Sequence, residues 1–220
     1  GDSMLTFYYH PLSPFARRVW IALLEKGLAF EPVVVNLNGD QFQPEFLALN
    51  PFHHVPVLVD GSLRILESLA ILDYLEAQYP TPSLLPQSPE AIAKMRMVQM
   101  VATNELMSQL PPWVLNPELT QVTEELQRIL IFLSEQLGDA PFFGGDGISL
   151  ADITVGTVLP LLHRLGLDFN DYPAIATWYH QITARPAWDE TNPDDASFAI
   201  WKRWVSLKIK RRQQQIARAS

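Results

Sequence analysis

The sequence predicts an α/β domain followed by an all-helical domain, and three observations lead to this prediction. Short apolar segments typical of strands alternate with helical segments over the first eighty residues. Prolines at 80, 82, 86 and 89 then crowd into residues 79–89, too many for a helix or a strand. Only helical patterns follow. We therefore expect an α/β domain over 4–80, a linker over 81–89 and an all-helical domain over 90–220.

The first domain is predicted to follow the order β-α-β-α-β-β-α. An apolar, aromatic run suits the first strand, and Ser13-Pro14 opens a helix that ends at Gly27. β-Branched residues predict the second strand, and Asp60-Gly61 supplies the turn of a hairpin. The predicted strands are 5–9, 30–37, 57–59 and 63–66, and the later helices are 44–49 and 68–78.

The second domain is predicted to contain helices only. Pro111-Pro112 is expected to end the first of them, and Pro160 to kink the third. Ser149 and Asp152 fit a capping box, and Asn192 is expected to cap the last helix. The predicted helices lie at about 89–110, 118–138, 149–166, 173–185 and from 192 to near the end.

The composition is that of a soluble globular protein, and it excludes several kinds of chemistry. Hydrophobic residues make up 48% and charged residues 18% of the 220 residues. No apolar run approaches the length of a membrane span, no signal peptide is expected, and residues 1–3 are expected to be a cloning remnant. The chain has no cysteine, which excludes disulfides, thiolate zinc sites, CxxC redox chemistry and cysteine nucleophiles. We expect a cytoplasmic location, because a chain without disulfides suits a reducing compartment.

Charge is distributed unevenly along the chain. The net charge is −8, yet residues 201–220 carry seven Lys and Arg side chains and no acid. An acidic body repels phosphate backbones, so nucleic acid is not expected as a partner. We interpret the basic tail as a solvated helix end, with contact to an acidic membrane surface or to RNA as the alternative. Stable membrane association is not expected.

Several segments resemble the cytosolic glutathione S-transferase family, in order and at the family's spacing. They are 13–23 with its SPFxxRVxIAL pattern, 50–58 with NPxxxVPVL, Glu67-Ser68, 149–153 with SLADI, Tyr172-Pro173, Trp178 and Arg185-Pro186. The first segment resembles the tau and phi classes, and the bacterial chi class is the other that we consider. The resemblance covers about residues 4–190. It implies a thioredoxin-like N-terminal domain joined to an all-α C-terminal domain.

The resemblance also implies an activity and its partners. The expected activity is conjugation of reduced glutathione to small hydrophobic electrophiles, with glutathione as co-substrate and no metal, in a detoxification role. Isothiocyanates are the expected substrates if the chain is of the chi class, whereas the absent zeta-class SSCS motif speaks against maleylacetoacetate isomerisation. A homodimer is expected, with its interface in the first half of the helical domain. The alternative is a non-catalytic ligand-binding or regulatory protein with the same fold.

Glutathione transfer requires a group that keeps the glutathione thiol ionised. A free thiol has a pKa of about 8.5, and lowering it by about two units takes roughly 2.7 kcal/mol. A hydrogen bond from a hydroxyl to a charged acceptor supplies about 1.5–3 kcal/mol, and a helix N-terminus adds about 0.3–1 kcal/mol. Ser13 stands at such a helix start, where tau-type enzymes carry their catalytic serine, although a plain N-cap would use the same residue type. Tyr9 is the alternative, and Arg17 and Arg18 are either ion-pair partners or thiolate stabilisers.

The resemblance assigns further residues to glutathione. The Val55-Pro56 bond is expected to be cis and to leave the N–H and C=O of Val55 free to pair with the cysteinyl part. Glu67 would face the α-amino group and Ser68 the γ-glutamyl carboxylate. Gln41 and His54 align with positions that contact the glycyl carboxylate. The electrophile is expected to contact Leu12, Phe15, Leu110 and Trp113.

Overall fold

The first domain contains a four-stranded sheet. In the computed structural model, which describes residues 4–119 and 121–220, the strands are β1 Leu5–Tyr9, β2 Phe30–Val34, β3 Val57–Asp60 and β4 Leu63–Leu66. Their order across the sheet is β2-β1-β3-β4, with β1 parallel to β2 and the other two pairs antiparallel. The expected cloning remnant at residues 1–3 lies outside the described residues.

Three helices alternate with these strands and complete the predicted order: α1 Pro14–Glu25, α2 Pro44–Leu49 and α3 Ser68–Gln78. Helix α1 ends where Gly27 adopts a φ of 63°, and the N–H of Leu28 then donates to the Leu23 carbonyl at 3.0 Å. Gly61, with a φ of 62°, makes the predicted turn between β3 and β4. The two glycines therefore stand where the backbone requires a left-handed conformation.

The second domain is helical among its described residues. Its helices are α4 Pro89–Val101, α5 Leu110–Leu115, α6 Glu124–Leu137, α7 Leu150–Val155, α8 Leu159–Arg164, α9 Pro173–Thr183, α10 Pro186–Thr191 and α11 Asp195–Ala219. A π-helical turn, Ala102–Leu106, and a 3-10 turn, Met107–Gln109, connect α4 to α5. None of the described helices has the combination of length and apolar character that crossing a membrane requires.

The prolines of this domain start helices more often than they stop them. Pro111-Pro112 was expected to end a helix, but both residues lie in the first turn of α5. Pro160 was expected to kink one long helix, but α7 ends at Val155 and Pro160 lies in the first turn of α8. The first N–H groups of a helix have no intrahelical acceptor, so proline is tolerated there.

The last predicted helix also begins later than expected. Asn192 was expected to cap it, but Asn192 follows the separate helix α10. Helix α11 is capped instead by Asp194, whose carboxylate accepts the Ser197 N–H at 2.7 Å. Asn and Asp are both favourable N-cap residues, so the residue type alone does not show which of the two caps α11.

The predicted capping box at the start of α7 is confirmed. The buried carboxylate of Asp152 accepts the Ser149 N–H at 2.7 Å, the Trp178 indole N–H at 2.8 Å and the Phe143 N–H at 2.9 Å. Burial raises the pKa of Asp152, and these hydrogen bonds oppose that rise. One carboxylate therefore joins α7, α9 and the preceding loop.

The linker is fastened to the first domain by a buried ion pair. The Lys26 ammonium lies 2.6 Å from Glu76 and donates to the carbonyls of Tyr79 and Pro82, both at 2.8 Å. Glu76 also accepts the N–H of Leu84 at 3.0 Å. The chain between 79 and 84 is thus bonded to Lys26, directly after α1, and to Glu76 in α3. The division into 4–80, 81–89 and 90–220 stays a prediction.

Two arginines connect the domains directly. The buried Arg17 donates to the Thr191 hydroxyl at 2.9 Å and to the Trp188 carbonyl at 3.1 Å, both in α10. Arg185 forms a two-pronged hydrogen bond with Glu25, at 2.8 and 2.9 Å. These contacts hold α10 against α1, so the two domains form one packed body.

Candidate functional site

Ser13 lies in the turn between β1 and α1. Its Oγ accepts the Ala16 N–H at 3.2 Å, and Pro14 occupies the first helical position. The turn is held by His10, whose carbonyl accepts the Ser13 N–H and whose Nδ1 accepts the Leu12 N–H, both at 3.0 Å. Burial lowers the pKa of His10, which favours the neutral ring that this acceptor role needs. The serine hydroxyl is therefore fixed at the N-terminus of a twelve-residue helix.

The N-cap role of Ser13 is compatible with a role toward a ligand. A serine hydroxyl has two acceptor lone pairs and one O–H donor. The cap uses an acceptor lone pair, so the O–H proton is not consumed by it. The half-buried hydroxyl can cap α1 and donate to an anion at the same time, beside the positive end of the helix.

Tyr9 lies in a different environment from Ser13. Its side chain is buried, stacked on Phe7 with ring centroids 4.8 Å apart and tilted against Trp20 at 5.1 Å. Burial raises the pKa of the Tyr9 hydroxyl. The aromatic ring packs as part of the core of the first domain.

The segment before β3 has the geometry that strand-like pairing with a peptide requires. The Val55-Pro56 bond is cis, as expected. Among the described residues, neither the N–H nor the C=O of Val55 forms a backbone hydrogen bond. Asn50 fixes the loop before it, donating to the His54 carbonyl and accepting the Phe52 N–H, both at 2.8 Å.

Glu67 and Ser68 form an uncapped and strained start of α3. Glu67 has a φ of 71°, an uncommon conformation for a residue with a Cβ, and its side chain does not cap the helix. Ser68 is buried at the first helical position. Strain of this kind costs about 1–3 kcal/mol and clusters at ligand sites. The first N–H groups of α3 thus remain available to an anion.

Gln41 and His54 are less well placed for a carboxylate. The Gln41 amide donates to the Leu37 carbonyl at 2.7 Å and accepts the Gly39 N–H at 3.0 Å, so it caps its own loop. His54 is exposed. Its neighbour His53 has a φ of 63° and lies 4.9 Å from the ring of Phe42.

The four residues expected to contact an electrophile are not brought into one cavity. Leu12 shares with Ser13 a cavity of about 20 Å³, which has room for about one water molecule. Phe15 is exposed, Leu110 is buried in the core, and Trp113 lines a separate groove. A ligand larger than a water molecule does not fit this cavity, so it would contact Ser13 from the solvent-exposed side of the turn between β1 and α1.

Helix α11 contributes to this cavity, which the sequence analysis missed. Phe198 and Trp201 line it together with Ser13, and the ring centroids of Trp204 and His10 lie 4.9 Å apart. The aromatic residues at 198, 201 and 204 follow a helical spacing that marks one face of α11. That spacing was the available signal, although it does not say which distant turn the face covers.

The two arginines of α1 differ in their surroundings. Arg17 is bonded to α10, as described above, and its pKa is lowered to about 10 by burial first and by the charge of Arg164. Arg18 is fully buried, and burial lowers its pKa to about 10 as well. Its guanidinium nitrogens have no hydrogen-bond partner among the described residues and lie over the Phe15 ring, 5.0 Å from the centroid. Arg17 is thus a structural residue, and Arg18 adds positive potential near the start of α1.

The described residues contain no group of three or more His, Cys, Asp or Glu side chains that could hold a metal ion. Strand pairing brings the three candidate segments to one end of the sheet, because Val57 pairs with both Tyr8 and Leu66. These segments are the Ser13 turn after β1, the backbone before β3 and the uncapped start of α3 after β4. The four-stranded sheet and its helices form a thioredoxin-like N-terminal domain, and a helical domain follows it.

Comparisons with known proteins identify the family. The profile described as "Glutathione S-transferase, N-terminal domain" matches residues 7–83, and the corresponding C-terminal profile matches residues 116–181. Glutathione S-transferase F10 of Arabidopsis thaliana is 32% identical over 86% of this chain and 97% of its own length. Maleylacetoacetate isomerase of Rattus norvegicus is 32% identical over 88% and 93%. The chain belongs to the glutathione S-transferase family, a family of enzymes.

Solved structures agree with this assignment. A delta-class glutathione transferase of Nilaparvata lugens is 26% identical, with a TM-score of 0.77 over 92% of this chain and 99% of that one. The expected fold, a thioredoxin-like N-terminal domain and an all-α C-terminal domain, is therefore confirmed.

Proposed function

We propose that this protein conjugates reduced glutathione to small hydrophobic electrophiles and that Ser13 stabilises the glutathione thiolate. The observation that carries the proposal is the Ser13 hydroxyl, which accepts the Ala16 N–H and keeps its own proton available at the N-terminus of α1. The thiol belongs to reduced glutathione, the family's co-substrate. A hydrogen bond from the Ser13 hydroxyl and the positive end of α1 can together supply the roughly 2.7 kcal/mol that lowers the thiol pKa by about two units.

The rest of the glutathione molecule is assigned to the neighbouring segments. Val55 offers its unpaired N–H and C=O to the cysteinyl unit, next to the cis bond to Pro56. The start of α3, at Ser68, takes the γ-glutamyl carboxylate, and the exposed Glu67 takes the α-amino group. Because Gln41 is engaged in its own loop, we assign the glycyl end to His54 first.

The test is the pKa of the bound thiol. The ultraviolet absorbance of the thiolate is titrated against pH in wild type, Ser13→Ala and Tyr9→Phe, after calorimetry has shown that each binds glutathione. We expect Ser13→Ala to raise the pKa of the bound thiol by at least about one unit, or about 1.4 kcal/mol. Tyr9→Phe should leave it unchanged, because the tyrosine is packed in the core. An unchanged pKa in Ser13→Ala with a clear rise in Tyr9→Phe would overturn the assignment.

A non-catalytic binding protein is the first alternative. It would bind glutathione without turning over any electrophile. We assign the electrophile to the open side of the turn, near Leu12 and Phe15; the other two expected contacts lie elsewhere, Leu110 in the core and Trp113 along a separate groove. Turnover of chlorodinitrobenzene and of benzyl isothiocyanate by wild type, lost in Ser13→Ala, separates the enzyme from the binding protein and tests the isothiocyanate substrates.

Isomerisation is a second candidate activity, because the rat relative is named maleylacetoacetate isomerase. The chain does not contain the SSCS motif of the zeta class. We therefore expect conjugation to dominate. Consumption of maleylacetoacetate faster than that of the conjugation substrates would reverse this order.

We further propose a homodimer, a cytoplasmic location and a role in detoxification. Met97 and Met100 leave 41% and 47% of their surface exposed on α4, in the first half of the helical domain, as a dimer interface would require. Light scattering of Met97→Glu/Met100→Glu should show a monomer where wild type is a dimer. Monomeric wild type would refute the proposed dimer.

A further inference from the structure

Both N–H groups of the turn between β1 and α1 are bonded to one residue, His10. Residues 10–13 form this turn, and Pro11 occupies its second position, where proline is favoured. The His10 carbonyl accepts the Ser13 N–H, and the His10 Nδ1 accepts the Leu12 N–H, both at 3.0 Å. Pro11 has no N–H. His10 therefore accepts every N–H group that residues 11–13 possess.

The hydrogen bond from Leu12 sets both the charge and the tautomer of His10. An imidazole nitrogen accepts a hydrogen bond only when it carries no proton, and both nitrogens of a protonated imidazole are donors. The ring must therefore be neutral, with its one proton on Nε2. If the ring took up a second proton, Nδ1 would become a donor facing the Leu12 N–H, and that hydrogen bond would be lost. The turn that carries Ser13 thus depends on the protonation state of His10.

Helix α11 packs against the imidazole of His10. The ring centroids of Trp204 and His10 lie 4.9 Å apart in an edge-to-face arrangement, and His10 is half-buried. Burial lowers the pKa of His10, because a charged ring would lose hydration there. The charged side chains that follow on the two flanking helices are Arg17, Arg18 and Lys208. All three are cations, so none of them stabilises a charged ring.

We propose that His10 is a positioning residue for the transferase reaction: its neutral imidazole accepts the Leu12 N–H and thereby orients the Ser13 hydroxyl toward the glutathione thiolate. The inference rests on the proposed function, because the group that His10 positions is the hydroxyl that stabilises the thiolate. A misplacement of about 1 Å in such a group can lower a rate by about 10²-fold. Protonation of His10 in acid therefore weakens the stabilisation of the thiolate, in addition to the protonation of the thiol itself.

Two substitutions of His10 separate its acceptor from its aromatic packing. Asparagine offers an amide oxygen that accepts the N–H two residues further on, as in an Asx turn, and it does not titrate. Phenylalanine keeps a ring against Trp204 but has no acceptor. If His10 were only a packed ring, His10→Phe would resemble wild type and His10→Asn would not, whereas the proposal expects the opposite order. The control is His180→Phe, at an exposed position of α9, and circular dichroism verifies that each variant is folded.

The first measurement is the pKa of the bound glutathione thiol, titrated by its ultraviolet absorbance on the full chain. We expect His10→Phe to raise this pKa by at least about half a unit, and His10→Asn and His180→Phe to change it by less than about 0.2 unit. The second measurement is the pH dependence of kcat in acid. The slope of log kcat against pH should approach about 2 in wild type, where the thiol and His10 both take up a proton, and stay at about 1 in His10→Asn.

Hydrogen exchange of the Leu12 amide provides a measurement that needs no glutathione. The amide should exchange slowly in wild type and in His10→Asn, and at least about tenfold faster in His10→Phe. A lowered thiol pKa that His10→Phe leaves unchanged, or equal exchange of Leu12 in His10→Phe and wild type, would refute the role of His10 and leave the proposed function standing. A wild type in which the bound thiol keeps the pKa of free glutathione would instead refute the proposed function, and with it the catalytic part of this proposal.

Discussion

Replacing Lys26 by methionine is the sharpest test of how the linker is held. The side chain of Lys26 is fully buried, and that of Glu76 retains only 4% exposure. Methionine keeps much of the apolar stem and removes the ammonium. The substitution thus leaves the Glu76 carboxylate in place, together with the carbonyls of Tyr79 and Pro82, which lose their shared donor.

The size of the effect follows from those contacts. Breaking a buried pair by removing one partner costs about 3–5 kcal/mol, because the remaining charge is left uncompensated. The Leu84 N–H still bonds to Glu76 and offsets part of this. We therefore expect a loss of about 3 kcal/mol in the free energy of unfolding. In the double variant Lys26→Met/Glu76→Met the uncompensated charge is gone, so a substantial part of the loss should return.

The assay is equilibrium unfolding in urea, followed by circular dichroism. The matched control is Lys94→Met, which removes the exposed partner of Glu90, a pair with side-chain exposures of 61% and 80%. Exposed pairs contribute about 0–1 kcal/mol. If Lys26→Met and Lys94→Met lowered stability equally, or if the double variant were less stable than Lys26→Met alone, the buried-pair reasoning would be refuted.

Two further predictions concern the helical domain. A Cβ at Gly156 would lie 2.5 Å from the Asp152 carbonyl oxygen and 2.9 Å from Trp188, so Gly156→Ala should cost about 1–3 kcal/mol in urea unfolding. Gly147→Ala, with nothing within 4 Å, should change stability by less than about 0.5 kcal/mol, and similar losses in both would contradict this. The hydrogen bond from Ser197 lowers the pKa of Asp194. Its stabilisation is therefore complete above the unfolded aspartate pKa of about 4 and is lost as the pH falls through the lower folded value. Asp194→Ala should lower the midpoint of thermal unfolding at neutral pH, and this difference should shrink to nothing in strong acid; a difference that persists there would contradict the assignment.

The local features of the fold could be predicted from the sequence because they depend on neighbouring residues. Gly27 and Gly61 end a helix and turn a hairpin through their own backbone conformations. The Ser149 and Asp152 capping box needs only a three-residue spacing. The roles predicted for Pro111, Pro112 and Pro160 were wrong. Proline disrupts a helix where its missing N–H would have had an intrahelical acceptor, but it is tolerated in the first turn, where no acceptor exists.

The long-range features could not be predicted in this way. Arg17 bonds to Thr191, 174 positions away, and no periodicity in α1 indicates that partner. The approach of Trp201 to Ser13 depends likewise on how α11 packs. For Ser13 the sequence left cap and catalysis as competing interpretations. The hydrogen-bond geometry makes them compatible, because they use different parts of one hydroxyl.

The tie between Lys26, Glu76 and the linker has a consequence for adaptation. Lys26 and Glu76 hold the linker, and Arg17 holds α1 against α10, so the described contacts oppose separation of the two domains around a bulkier ligand. We therefore expect adaptation to a bulkier ligand at the C-terminal end of α11, where every residue from Leu207 onward except Ile209 is exposed. Substitutions of these exposed residues do not disturb the buried core, so ligand preference can change at the end of α11 while the fold of both domains stays the same.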